Sequence, residues 1–231
     1  MSSSPMPAAS GGASSSATLV RAWRSPVAWI VLLVTFASGF AFDLWTKYWS
    51  FEHVAGEPVT LVPGQLVDDP DYRLPWHPGV QVLQPDLLDF HLVLNQGAVF
   101  GIGQQRRAAF IGLTVLAIAA GLAVFARWTD RKAHLSHVAI GLILAGGIGN
   151  LYDRVVYGAV RDFLHLFPRR DLPFGLHWPG GSSEIFPWVF NVADVLLLVG
   201  MGLLMIQAAR ADRADRRRAL ELQAAKRSAP A

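Results

Sequence analysis

The chain has 231 residues, of which 52% are hydrophobic and only 16% charged, with a net charge of +3 and a mean hydropathy of +0.34. It is too apolar and too sparsely charged for an average soluble domain. It also has no cysteine, which excludes disulfides, thiolate metal sites and cysteine nucleophiles.

Residues 1–25, "MSSSPMPAASGGASSSATLVRAWRS", are rich in Ser, Ala and Gly and are expected to form a disordered tail. Between Arg24 and Asp43 lie 18 uncharged residues, and a first helix is predicted over 26–49, with Pro26 well suited to its first position. The apolar stretch exceeds the usual signal-peptide core of about 7–15 residues. The sequence "ASGFAFDLWTK" offers no clean cleavage box, so the helix is expected to be retained. Residues 50–94 are broken by Pro58, Pro63, Gly64, Pro75, Pro78 and Gly79. Within and just past them, "EPVTLVPGQLV" and "VQVLQPDLLDFHLVLN" alternate or carry β-branched runs, which predicts short strands of a small sheet.

Helix two is expected over 104–126 and helix three over 133–152, from uncharged runs of 19 and 20 residues. A second outer segment, 153–187, contains "FPRRDLPFGLHWPGGSSEIFPW", with the Pro, Gly and Trp content of an interfacial loop. Helix four, over about 188–209, reaches spanning length only if Asp194 is tolerated inside it. A bilayer core needs about 20 mostly apolar residues per helix. The fold class is therefore an all-α membrane protein of four transmembrane helices, with a small sheet and an interfacial loop on one face. The domain organisation is a tail (1–25), one four-helix domain (26–209, with outer segments 50–94 and 153–187) and a basic tail (210–231). The last tail, "RADRADRRRALELQAAKR", reads better as a solvated topology anchor than as a helix lying on anionic lipid.

Charge sets the orientation. The two tails and the loop joining helices two and three carry 12 Lys/Arg against 4 acids, and the opposite side carries 8 against 13. The basic excess marks the first side as cytoplasmic, so both termini lie inside. It argues for topology rather than nucleic-acid binding.

On this topology the polar residues gather at the outer ends of the helices: Asp43 and Lys47, then Asn95, then Asn150, Asp153 and Arg154, then Asn191 and Asp194. Asp43 and Lys47 are four apart and can pair on one helix face; Asn150 and Arg154 are also four apart and Asn191 and Asp194 three apart, so each helix presents a polar stripe to its neighbours. For Asp43, Lys47 and Asp153 the plain reading is a clamp between helices. Asp162 and Asp194 differ, because neither has a dedicated counter-ion on its own face apart from Arg161 beside Asp162. Two such acids, both read as lying at outer ends of packed helices, are candidates to meet and share one proton. That state suits hydrolysis, with the ionised member drawing a proton from water and the protonated one polarising a carbonyl.

Other chemistries find less support. His134 and His137 have no HExxH context, and His77, His165 and His177 are placed in outer loops. "GGIGN" lacks a following GK[ST] and lies in a membrane helix, where its glycines suit close helix packing. No metal or cofactor is expected. A transporter using Asp162 and Asp194 as a proton or cation site stays open, as does a structural membrane subunit glued by its polar stripes. Against the transporter, the polar groups cluster at one face rather than the midplane.

The motifs "DLWTK" (43–47), "NQGAVFGIG" (95–103), "GGIGNLYDRVVYGAVRDF" (146–163) and "FNVAD" (190–194), in this order, resemble the lipoprotein signal peptidase family, also called signal peptidase II. The resemblance spans about residues 27–209. It implies a membrane aspartic endopeptidase with an outer-face β-cradle that cuts bacterial prolipoproteins before a diacylglyceryl-modified cysteine. The catalytic pair would fall on Asp162 and Asp194, supported by Asn95, Asn150, Arg154 and Asn191, with Asp43, Lys47 and Asp153 in structural positions. The implied partners are lipidated prolipoproteins and membrane lipids, with no obligate protein partner. Arg161 departs from the pattern where an apolar residue is expected; it would either bias the charge on Asp162 or reach the outer interface. The segments 50–94 and 164–187 are longer than expected. "ASGF" echoes a substrate cleavage box, with phenylalanine in place of the lipid-bearing cysteine.

Overall fold

The computed structural model describes residues 20–83, 86–97 and 107–228. Most of the predicted N-terminal tail, residues 98–103 of the second motif, the predicted start of helix two and the last three residues lie outside them.

Four helices are long and apolar enough to cross a membrane: α1 (Pro26–His53), α3 (Arg107–Trp128), α4 (His134–Val156) and α5 (Val192–Ser228). A single turn, α2 (Gln65–Asp68), lies between α1 and the sheet. α1 starts where the sequence suggests. The Ser25 side chain accepts the Ala28 N–H at 3.3 Å, and Pro26 occupies the position whose N–H would be unsatisfied. Large side chains such as Ile30 and Val34 on α1, Leu113 and Leu116 on α3, and Leu198 and Met205 on α5 are exposed. Such surfaces are stable against lipid and not against water. α4 packs against α1, α3 and α5 and is the most buried helix of the four.

Two close approaches make this packing possible. A side chain at Gly146 would run into the Ala193 carbonyl of α5, and one at Gly149 would run into the Asp43 carboxylate of α1. The glycines of "GGIGN" thus bring α1, α4 and α5 together. Gly149→Ala is expected to destabilise the protein by about 1–3 kcal/mol, the range for overpacking a tight interior. A lowered thermal midpoint in detergent, with α-helical content unchanged at low temperature, checks this.

Four antiparallel strands form one sheet in the order β1 (Val80–Leu83), β2 (Leu88–Asn95), β3 (Val160–Leu166) and β4 (Val189–Phe190). Phe51, Val54, Leu92 and Phe163 make a small core between the end of α1 and this sheet. The register differs from the expectation in one stretch. "EPVTLVPGQLV" forms no strand; Pro58 and Pro63 each lack a ladder donor, and Gly64, at φ +81°, turns the chain into α2. The sheet is completed instead by β3, from the segment read as an outer loop, and by β4, from the first residues expected in helix four, which starts only at Val192.

α5 is the other difference. It continues unbroken for 37 residues through the basic tail to Ser228, well past the length a bilayer core requires. The loop after β3 is pinned by Arg169, which holds Asp86 at 2.6 Å and Asp89 at 2.7 Å. The edge-to-face contacts of Trp188 with Trp178 and Phe186 give that loop its aromatic core.

Candidate active site

Five elements deliver polar side chains to one end of the helix bundle. Local chemistry positions each of them. On the sheet, Val93 of β2 sits opposite Asp162 of β3, so Asn95 lies diagonal to Asp162 on the same face. The Asn95 amide accordingly donates to Asp162 Oδ2 at 3.0 Å. Asp162 is therefore a strand residue, not a helix-end residue as the sequence suggested.

The start of α5 is a reciprocal cap. The Asp194 N–H donates to the Asn191 side-chain oxygen, and the Asn191 N–H donates to Asp194 Oδ2, both at 3.2 Å. This is the capping-box geometry, with an aspartate three residues past the cap, and it fixes the Asp194 carboxylate at the helix N-terminus. The Asn191 amide reaches the other acid, donating to Asp162 Oδ1 at 2.6 Å and to Asn150 Oδ1 at 3.0 Å. One asparagine thus holds both carboxylates. The Asn150 amide completes the ring by donating to Asp194 Oδ1 at 2.8 Å.

Beneath these amides lies a buried ionic layer. The Lys47 ammonium, fully buried, donates to Asp43 at 2.8 Å and Asn150 Oδ1 at 3.2 Å, and lies 3.3 Å from Asp153. Three acceptors meet its three protons. Only an oxygen can face an ammonium, so Lys47 fixes which way the Asn150 amide points and turns its NH2 toward Asp194. Asp43 also accepts the Ala193 N–H at 2.8 Å, tying α1 to the first turn of α5.

Arg161 has neither of the two roles expected of it. It is 7% exposed, and Asp153 accepts both its backbone N–H (3.0 Å) and its guanidinium (2.8 and 3.2 Å). Strand alternation points it away from its neighbour Asp162. Two acids and two bases, Asp43, Asp153, Lys47 and Arg161, make this buried layer neutral within itself. Asp162, 2% exposed, stands outside that balance. Burial chiefly, and the charge of Asp194 next, push its carboxyl up to about 7, against the opposing pull of Asn95, Asn191 and Lys47.

Arg154 lies beside the pair, but its hydrogen bonds run to the Gly97 carbonyl at 3.1 Å and the Asn150 carbonyl at 3.3 Å. It braces the end of β2. Arg107 was not singled out from the sequence. It donates to the Arg154 and Val155 carbonyls at 2.7 and 2.9 Å and so caps the end of α4. A signal existed: a cation in the first turn of a helix is on the unfavourable side of that helix's dipole and needs a partner elsewhere. Among the described residues no histidine hydrogen-bonds to either carboxylate of the pair. His77 is buried rather than solvated and accepts the Leu92 N–H at 2.9 Å, while His165 is a strand residue. Among the described residues no group of three or more metal-binding side chains is assembled.

A family model described as signal peptidase (SPase) II matches residues 35–210. The chain belongs to the signal peptidase II family. It is a multi-pass membrane protein and a protease by that membership. It is similar to the lipoprotein signal peptidase of Desulfitobacterium hafniense (strain DSM 10664 / DCB-2), 36% identical over 134 residues that make up 58% of this chain and 76% of that one. The lipoprotein signal peptidase of Symbiobacterium thermophilum is 34% identical over 141 residues, 61% of this chain and 82% of that protein. That of Methylobacterium sp. (strain 4-46) is 39% identical over 133 residues, 54% and 70% respectively. A solved structure of a bacterial membrane enzyme, obtained by the in meso method, aligns over 83% of this chain and 93% of its own, with a TM-score of 0.55 and 22% identity. That likeness shows a shared fold of apolar helices and a small sheet. All residues of the candidate site described above fall inside the stretch matched by the signal peptidase II family.

Proposed function

We propose that this signal peptidase II family member is an aspartic endopeptidase that removes signal peptides from bacterial prolipoproteins. It would hydrolyse the bond before the diacylglyceryl-modified cysteine, with Asp162 and Asp194 as its catalytic pair. The observation that carries this is the Asn191 bridge, which holds within one hydrogen-bonded ring two carboxylates that make no salt bridge among the described residues. The names of the similar proteins support the substrate class.

Asp162, the more deeply buried acid, with its carboxyl raised to about 7, acts in its protonated form and donates that proton to the scissile carbonyl oxygen. Asp194, at the helix N-terminus, takes a proton from water as the water oxygen attacks the carbonyl carbon. Collapse of the tetrahedral intermediate breaks the C–N bond as Asp194 passes its proton to the leaving amine. Asp162 takes back the proton of the gem-diol hydroxyl, which leaves a carboxylic product and the starting dyad. Asn95, Asn150 and Asn191 hold the two carboxyls in register, and Arg154 braces the adjoining backbone for the lipid-linked residue. Residues 26–209 are the peptidase domain, flanked by the tails 1–25 and 210–231. The excess of Lys/Arg on the tails and on the loop between α3 and α4 supports cytoplasmic termini, with the site near the outer face of the cytoplasmic membrane.

A pH profile tests the assignment of the proton. Asp162 must be protonated to act, and its carboxyl is raised to about 7, so activity is lost as pH rises through that value. kcat/KM is expected to fall about tenfold per pH unit above it. A profile level from pH 6 to 9 would contradict an acid role for Asp162.

A further inference from the structure

An irregular stretch, "DPDYRLPWHPG" (69–79), joins α2 to β1, and one buried histidine ties it to the sheet. Both ring nitrogens of His77 are engaged, and their partners fix which one carries the proton. Nε2 accepts the Leu92 N–H of β2 at 2.9 Å, so it is bare. Nδ1 then holds the proton and donates it to the Pro75 carbonyl at 3.0 Å. Only the neutral ring does both. A second proton would set an Nε2–H against the Leu92 N–H, donor against donor, in a place where water does not reach. We propose that His77 is an acid-released pin, which holds residues 69–79 against the sheet while its ring is neutral and loosens them as the outer side is acidified.

The groups around His77 act in the same direction. His91 of β2 stacks on it, with ring centres 4.7 Å apart and planes 25° from parallel. His165 of β3 lies 6.4 Å beyond His91. The nearby acids already have cations to face: Arg169 holds Asp89 at 2.7 Å and Asp86 at 2.6 Å, and Glu184 lies 3.3 Å from His165 Nε2. On the stretch itself Asp69 is exposed, as is Asp68 just before it, and the exposed Asp71 and Arg73 lie 4.0 Å from each other. Burial chiefly, then His77 and His165, hold the His91 ring below the usual imidazole range, against the pull of Asp89 and Glu184. At His91 the folded chain therefore binds fewer protons than the unfolded one. The stabilisation is whole above about pH 6.5 and is lost as pH falls below it.

The same stretch borders the candidate active site. The Gln96 side chain donates to the Pro70 carbonyl at 2.9 Å, and Gln96 follows Asn95, whose amide holds Asp162. Leu74 packs against the small core of Phe51, Val54, Leu92 and Phe163 and keeps a second hold on the stretch. Acid is thus expected to loosen it without detaching it. That the acidity is felt from the outer side rests on the topology given under the proposed function; the pin itself rests on the ring's two hydrogen bonds.

The test is amide hydrogen exchange of the full chain in nanodiscs at about pH 7.5 and 5.5, one unit either side of the ordinary imidazole value, with exchange times scaled for the intrinsic rate. In the wild type, peptides covering residues 69–79 and the Leu92 amide are expected to exchange about tenfold faster at the lower pH, the effect of leaving one buried donor unpaired. Peptides from α4 are expected not to change. His77→Gln has no titrating ring, and its side-chain carbonyl either replaces the Nε2 acceptor or does not. In both cases its two pH values are expected to agree within about twofold. His165→Gln, which removes the imidazole beside Glu184, is expected to keep the wild-type response.

Equal protection of the wild type at both pH values would overturn the proposal. So would a response that survives in His77→Gln, or one that disappears in His165→Gln, because that assigns it to the Glu184 pair. Should His77→Gln fail to fold, the wild-type comparison and His165→Gln still decide. The readout is exchange rather than cleavage, and it lies below neutrality while the loss of activity ascribed to Asp162 lies above it. Failure of the pin and failure of the peptidase reading are therefore distinguishable.

Discussion

Asp162→Asn and Asp194→Asn are each expected to lower kcat by about 10²–10⁴, the usual contribution of a positioned acid or base. Both are close to isosteric: the oxygen that remains keeps its donor, and the new NH2 faces a donor at a cost of about 1–3 kcal/mol, less than the stability of an ordinary domain. Folding is therefore expected to survive, and the loss should appear in kcat rather than in yield. The double variant is expected to be no worse than the poorer single one within about tenfold, because acid and base act in one step and their removal is not additive. A structural role for either acid predicts the reverse pattern, with lowered thermal stability and kcat retained in the fraction that folds. Two independent binding sites would instead give multiplying losses.

The second large effect concerns stability. Lys47→Met is expected to destabilise the protein by about 3–5 kcal/mol, because it removes one partner of a buried ion pair and leaves the other uncompensated. Asp153 keeps Arg161, but Asp43 is left with only the Ala193 N–H. Adding Asp43→Asn to Lys47→Met is therefore expected to restore part of the lost thermal midpoint, a coupling that distant sites do not show. Activity should not return with it. Without the ammonium nothing fixes the Asn150 amide, and the NH2 that holds Asp194 is free to turn away. A Lys47→Met variant with a wild-type midpoint would mean that the buried layer is not a stabilising unit.

The sequence exposed the helices because their cost is visible in it: runs of 18 to 20 residues without a charge have few other uses. The two unpaired acids were legible for a related reason, since a carboxylate beside an apolar run demands an explanation. The resemblance then singled out Asp162 and Asp194. What the sequence hid were long-range pairings. β3, "VRDFLHL", is buried on both faces at its start, so its alternation does not show as an apolar and a polar face. The Asp153 partner of Arg161 is eight residues away across a turn, beyond any helical spacing rule. The capping box of "FNVAD" was readable locally, with Asn191 at the cap and Asp194 three positions on, but it was read only as a shared face. Continuation of α5 through the basic tail was also missed, because the charge density there suggested solvated chain rather than helix.

The measurement that bears most directly on the central proposal is the mass of the products formed when the purified chain meets a diacylglyceryl-modified prolipoprotein. It is made beside the same substrate without lipid, and beside the Asp162→Asn and Asp194→Asn variants. The expected result is a mature fragment that begins at the lipidated cysteine, from wild type and the lipidated substrate alone. A cut elsewhere, equal cutting of the unlipidated substrate, or the same product at a near-normal rate from either folded variant would contradict it.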